Sequence, residues 1–149
     1  MQSTKPIYKK PFEAIEQYEE STWLGNDTPI FETQYTAVFN DKFPCVKGHK
    51  LFIPKKNNSK FIGESYALAH KFGDDDVRQG KIDAFNIGSN FGIYAGQTIM
   101  WPHIHFIPRY KGDSKIIGGI RHSHPGADHR EYYWCKKNQI LALSNGNIF

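Results

Sequence analysis

Cysteine is scarce in this chain, long apolar runs are missing, and no internal repeat or low-complexity segment is found. Cys45 and Cys135 are the two cysteines among 149 residues, and no Cys-x-x-Cys pair occurs. A disulfide framework and a cysteine-built zinc site are therefore not expected. No stretch approaches the roughly 20 apolar residues that cross a bilayer, so no membrane partner is expected. The opening MQSTKPIYKK is basic but holds no apolar segment of the kind a secretory signal needs. A cytoplasmic protein is the default that these absences leave. Strong charge is lacking as well. Nineteen Lys and Arg against 15 Asp and Glu give a net charge of +4, which suits an anionic substrate but is too small to argue for nucleic acid.

Hydrophobic residues make up 39% of the chain and aromatics 15%. That is enough for a real core, and the length fits one domain. Residues 1–10 read as an arm, and Phe12, Ile15, Tyr18 and Trp23 among acids suggest a short amphipathic helix over 11–24. Strands are expected over 30–40, from His49 to Ile53, over 82–90 and over 99–107. A helix capped by Asn57-Asn58-Ser59 is expected over about 60–72, ended by Gly73. Asp128 with Glu131 resembles a capping box that opens a C-terminal helix to about Leu143. The pattern argues an α+β fold with a mostly antiparallel sheet. It divides into an N-terminal arm and short helix (1–24), a central domain (25–125) and a C-terminal helix and tail (126–149).

Residues 97–109 carry the most information. His103 and His105 are two apart, so at strand spacing they share a face with Ile99, Trp101 and Ile107. Met100, Pro102, Ile104 and Phe106 make the other, apolar face. Two imidazoles held side by side above a packed face suit a histidine nucleophile or a metal site. Isolated histidines such as His70 and His129 carry no such implication. His122 and His124, in Arg-His-Ser-His-Pro, are weak evidence for a metal.

The order of blocks across about residues 31–125 resembles the histidine triad (HIT) superfamily of nucleotide hydrolases and transferases. The blocks are Phe39 to Pro44 (FNDKFP), Gly48 to Lys55 (GHKLFIPK), Asn86 to Asn90 (NIGSN), Gly92, Ala95 to Thr98 (AGQT), the histidine strand, Pro108-Arg109, Gly112-Asp113 and Gly118 to Arg121 (GGIR). The likeness is to the bacterial diadenosine polyphosphate hydrolase type. It implies a five-stranded, mostly antiparallel sheet with one main helix plus terminal helices, in a homodimer whose sheets join across the subunits. The family's three histidines are two apart, and here the first place is Trp101. The second, His103, is implied as the nucleophile, attacking an α-phosphorus to give a nucleotidyl-imidazole that water cleaves. The third, His105, is implied to donate to the phosphate oxygens, and it favours hydrolysis over transfer. His49 is implied as an additional catalytic histidine.

The resemblance puts substrate binding at Asp41 (ribose), at Asn90, Gly96, Gln97 and Thr98 (phosphate), and beside Trp101. Asp41 reads equally as a turn residue. The acceptor for the second ring nitrogen of His103 is implied to be the main-chain carbonyl of residue 101, which Trp supplies as well as His. Arg109 and Arg121 suit a polyphosphate clamp or simple solvation. No cofactor is required, and Mg²⁺ is expected only as a counter-ion to a polyphosphate substrate. The substrate would be a dinucleoside polyphosphate or a nucleoside phosphoramidate. Two other readings stay open: a nucleotide-binding module that lost turnover with Trp101, and a zinc hydrolase using His49, His103 and His105 as ligands.

Overall fold

A threonine splits the first expected strand into a hairpin. A computed structural model of the chain describes residues 10–113 and 119–124. In it β1 (Phe31–Glu32) and β2 (Thr36–Asn40) are antiparallel, with Phe31 opposite Val38. Thr33 Oγ1 accepts from the amides of Tyr35 and Thr36, and this local bonding turns the chain where periodicity alone suggests one strand over 30–40. β3 (Lys50–Pro54) pairs with β2 along its whole length, Asn40 opposite Lys50.

Helix α1 follows as Ser59–Arg78, with the Asn58 side chain accepting from Phe61 N at 2.9 Å as its cap. It does not stop at Gly73. Gly73 lies buried inside the helix because a Cβ there would sit 2.7 Å from the Phe85 ring, so this glycine serves close packing. Asp74 and Asp75, beyond the expected end of the helix, pair with Arg78 and Lys71 one turn away on it. The terminator is Gly80 at φ +71°, where Gly80 N bonds Val77 O and Lys81 N bonds Asp76 O.

β4 (Ala84–Gly88) and β5 (Ile104–Arg109) complete a five-stranded antiparallel sheet in the order β1-β2-β3-β5-β4. β5 begins later than expected, and Ile99 to His103 lie outside it. Within β5 the burial alternates as the sequence demands, with Ile104, Phe106 and Pro108 inside. The central strands are covered on both faces. α1 packs across β3, β4 and β5 over an aromatic cluster of Phe52, Phe72, Phe85 and Phe106. A buried Thr36–Ser65 hydroxyl bond of 2.7 Å ties β2 to the helix. The opposite face buries Ala37, Phe39, Leu51 and Ile53 under Ile15, Tyr18, Trp23 and Trp101.

That second layer comes from the N-terminal segment. The expected helix over 11–24 is a single 3-10 turn, Tyr18–Glu20, and the rest is turns, bends and irregular chain. Phe12 N bonds Thr98 O at 2.8 Å, and Ala14 bridges to Met100. Residues 10–24 therefore pack on the sheet through Ile15, Tyr18 and Trp23. The chain divides into two compact units, Met1–Arg109 and Tyr110–Phe149. In the second, a turn closes between Tyr110 and Asp113, and Ile120–Ser123 is a 3-10 turn. The capping box at Asp128, the C-terminal helix and the 126–149 segment fall outside the described residues, as do His129 and Cys135. Among the described residues, no helix is long and apolar enough to cross a membrane.

Two helix glycines should respond oppositely to alanine. Gly73→Ala drives a methyl into the Phe85 ring and should cost about 1–3 kcal/mol. Gly63 has no atom within 4 Å of its added Cβ, so Gly63→Ala should stabilise by about 0.5–1 kcal/mol. Urea unfolding of both variants checks the pair; equal shifts would contradict the packing described.

Candidate active site

Leu51 on β3 stands opposite His105 on β5, so the histidine face of the sheet is the face that the N-terminal segment covers. The segment's cover ends at a cavity of about 700 Å³, within the range of small-molecule sites. Asp41, Asn90, Gly96, Thr98, His103 and His105 border it, together with Thr22, Trp23, Asp27 and Phe43. The last four were not legible as site residues. Trp23 reads as one apolar residue among acids, and nothing local ties it to the histidines.

The hydrogen bonds assign every ring proton in the cluster. His103 Nδ1 lies 2.7 Å from the Trp101 carbonyl oxygen. A carbonyl only accepts, so Nδ1 carries the proton and Nε2 of the neutral ring keeps its lone pair. The Cys45 amide donates to His49 Nδ1 at 3.2 Å, so the proton of neutral His49 is on Nε2. That proton faces His105 Nδ1 at 2.9 Å and Asp41 Oδ2 at 3.3 Å. His105 Nδ1 therefore accepts, and its own proton is on Nε2. Main-chain groups at both ends thus set the tautomers of all three rings.

Burial decides the charge. It pushes His103 below its ordinary value, although the Trp101 carbonyl and Asp41 pull the other way. His49 is lowered by burial against the pull of Asp41. His105 is pushed down to about 4, first by burial and then by His103 and His49. One carboxylate does not offset the desolvation of three rings, so the cluster is neutral at pH 7.

Asp41 is a turn residue that also borders the cavity. Its Oδ1 accepts from Phe43 N at 2.8 Å to form the turn, and Oδ2 faces His49 and His105. Gly96 takes φ +89°, ψ 12° after a 3-10 turn over Ile93–Ala95, a conformation that favours glycine. Two expected substrate contacts are placed elsewhere. Gln97 is 8% exposed, and its amide closes the loop by accepting from Gly92 N and donating to Ile99 O. The Trp101 indole is 2% exposed, and its Nε1–H donates to Pro54 O at 2.9 Å. Its large apolar ring fills the second core layer, and only its carbonyl serves the site. Arg109 donates to Asn86 Oδ1 at 3.1 Å across β4 and β5. His49 is 6% exposed and lies behind His105.

The expected zinc trio is not the one assembled. Among the described residues the group of possible donors is Asp41, His49 and His105, with atoms within 4.8 Å of one another. A cation at His49 Nε2 would force the ring proton to Nδ1, against the Cys45 amide that already donates there. Metal-bound histidine instead gives its second N–H to an acceptor, so this wiring favours a proton over a metal.

A family model described as "HIT domain" matches residues 25–112. An uncharacterized HIT-like protein of Methanocaldococcus jannaschii is 31% identical over 94 residues, covering 59% of this chain and 73% of the relative. A bis(5'-adenosyl)-triphosphatase of Saccharomyces cerevisiae is 29% identical over 119 residues, covering 72% of this chain and 50% of that protein. The fold is similar to a zinc-bound histidine triad family protein from Mycobacterium smegmatis, with a TM-score of 0.54 at 22% identity over 80% of this chain and 87% of that one. It is also similar to a HIT family protein from Bacillus anthracis, with a TM-score of 0.52 at 24% identity over 80% and 85%.

The depressed His105 value makes stability depend on pH. Between its ordinary 6.5 and about 4, the unfolded chain binds a proton that the folded chain refuses, so stability rises with pH across that window. It should be full above about pH 6.5 and lower by about 2 kcal/mol near pH 4 on account of this ring. Urea midpoints of wild type and His105→Gln at pH 7, 5.5 and 4 test this. The wild type should lose more, and parallel losses would refute the depressed value.

Proposed function

The chain belongs to the HIT domain family, and we propose that it is a nucleotide hydrolase working through a covalent nucleotidyl intermediate on His103. The observation that carries this reading is the 2.7 Å contact between His103 Nδ1 and the Trp101 carbonyl. It holds the proton on one nitrogen and leaves the other as a nucleophile. A neutral imidazole is a fair nucleophile near pH 7, and burial keeps the ring neutral. The replacement of the first triad histidine by Trp101 does not disturb this role, because a main-chain oxygen performs it.

In the proposed reaction Nε2 attacks the α-phosphorus of a bound nucleotide. The P–N bond forms as the bond to the leaving group breaks, and the positive charge that develops on the ring is stabilised through Nδ1–H by the carbonyl. His105 donates Nε2–H to a non-bridging phosphate oxygen. The Thr98 hydroxyl adds a donor, and Asp41 accepts from the ribose hydroxyls with its remaining lone pairs. Water then attacks phosphorus and gives up a proton to solvent. The P–N bond breaks, and nucleoside monophosphate leaves with the ring neutral again. Mg²⁺ enters only with a polyphosphate substrate.

The proton inventory favours one of the two candidate substrate classes. A phosphoric anhydride expels an anion that needs no proton, whereas an amine leaving a phosphoramidate does. His105, pushed to about 4, is a neutral donor at pH 7 and not an acid. The similarity to a bis(5'-adenosyl)-triphosphatase points the same way. A homodimer would join sheets at β4, which among the described residues has β5 on one side and no strand on the other.

Hydrolysis of diadenosine polyphosphate and of an adenosine phosphoramidate by wild type and His103→Ala tests the proposal. Wild type should release adenylate, and protein quenched in alkaline detergent, where a P–N bond survives, should carry it on His103. His103→Ala should lose on the order of a thousandfold or more. At pH 7 the anhydride should outpace the phosphoramidate by about a hundredfold, the scale of one general acid. Nucleotide bound without turnover would establish the binding module instead, and full activity in His103→Ala would refute the nucleophile.

A further inference from the structure

Trp23 lies outside the residues matched by the family, 25–112, yet its ring is against the nucleophile. The Trp23 and His103 ring centroids are 5.1 Å apart at an interplanar angle of 57°. Trp23 is 6% exposed, borders the cavity and belongs to the same core cluster as Trp101. Its position is set from two sides. Upstream, Phe12 N bonds Thr98 O and Ala14 bridges to Met100, joining the segment to the residues just before the histidines. Downstream, the Trp23 carbonyl accepts from the amides of Asn26 and Asp27 at 3.2 and 3.0 Å.

One hydrogen bond does not orient an imidazole. The torsion that turns a histidine ring is broad, and the Nδ1 bond to the Trp101 carbonyl restrains a single point of it. The plane of the ring needs a second support. Two rings supply it: Trp23, and His105 with its centroid 5.2 Å away at 62°. His105 has its own bond to His49 and its own task at the phosphate. The charged or titratable neighbours of His103 are His105, Asp41 and, through His105, His49. Trp23 adds no charge, so its effect is on orientation and on water.

We propose that Trp23 is a positioning residue for catalysis. In this role its indole, with the Trp101 carbonyl, fixes the plane in which His103 Nε2 meets the phosphorus and keeps water off that flank. The inference rests on the nucleophile reading above and adds to it a residue that the family match does not reach. Such a role appears in kcat and not in KM. The tilt of the imidazole changes no ground-state contact that binds the nucleotide, whereas attack requires reacting atoms aligned at about 3–3.5 Å.

The test compares wild type, Trp23→Phe, Trp23→Leu and Trp23→Ala in the full chain. Trp23→Ala should lower kcat by about a hundredfold, the scale of a misplaced reacting group, with KM within about threefold of wild type. Trp23→Phe, which restores an aromatic face, should recover most of kcat. Trp23→Leu keeps apolar volume without a ring plane and should resemble Trp23→Ala, so it carries the test if the alanine variant does not fold. A rise in KM alone would overturn the proposal and make Trp23 a wall for the base. Unchanged kcat in Trp23→Leu, or no recovery in Trp23→Phe, would also overturn it. NMR of the histidine rings needs no substrate and so separates this proposal from the hydrolase reading. Wild type should show cross-relaxation between Trp23 and His103 ring protons, and Trp23→Leu should broaden the His103 signals. Unaltered His103 signals in Trp23→Leu would refute the positioning role even if no nucleotide is turned over.

Discussion

The hydrogen bond from His103 Nδ1 to the Trp101 carbonyl is the contact on which the candidate site depends. It sets the tautomer of one ring and thereby decides which nitrogen can attack. Its geometry is not left to a loop, although Ile99 to His103 lie outside regular structure. Trp101 is anchored through its side chain: the indole is 2% exposed and donates to the carbonyl of Pro54 at the end of β3. The core therefore positions the carbonyl, and the carbonyl positions His103. An acceptor on the main chain is also indifferent to the side chain that its residue carries, so the tryptophan at 101 supplies the partner of His103 as any residue would.

The rest of the cluster follows from a contest between desolvation and a single negative charge. Asp41 lies 3.3 Å from His49 and 3.9 Å from His105, close enough to raise the affinity of both rings for protons. Burial works against it on all three histidines and prevails on each. The outcome is a run of neutral rings, each with one assigned proton, ending in an N–H on His105. Such a run presents oriented dipoles to the cavity instead of a full cationic charge. It also leaves His103 Nε2 unprotonated near neutral pH, which an imidazolium ion would not.

Much of this was legible in the sequence, and the parts that were not share a cause. The alternation of His105, Ile107 and Arg109 with Ile104, Phe106 and Pro108 holds from Ile104 onward because the period of two follows from backbone geometry. The antiparallel sheet and the main helix, with its cap within Asn57-Asn58-Ser59, were likewise readable from pattern and capping chemistry, whereas the count of five strands came from the family resemblance. Gly73 misled because its reason is tertiary: the Phe85 ring excludes a Cβ, and no local rule records that. The hairpin at Thr33 was hidden by residues that suit a strand on either side of it. Gln97 and Trp101 carry side chains able to touch a ligand, and which way each one faces is settled by the packing of the second layer. Trp23 was missed for the same reason, since its partner is far away in the chain.

The two tryptophans are best understood together. An indole at position 101 is too large and too apolar to sit beside water without cost, and full burial of such a ring contributes a few kcal/mol. That burial requires cover, and Ile15, Tyr18 and Trp23 from the N-terminal segment provide it. The same cover packs against His103, the Trp23 ring centroid lying 5.1 Å from that of the imidazole. Burial is what lowers that ring's affinity for a proton, so the apolar layer that covers Trp101 also keeps His103 neutral. The site is then a product of β3 and β5, which carry the histidines in or just before them, and of a segment beyond the family match, which covers them.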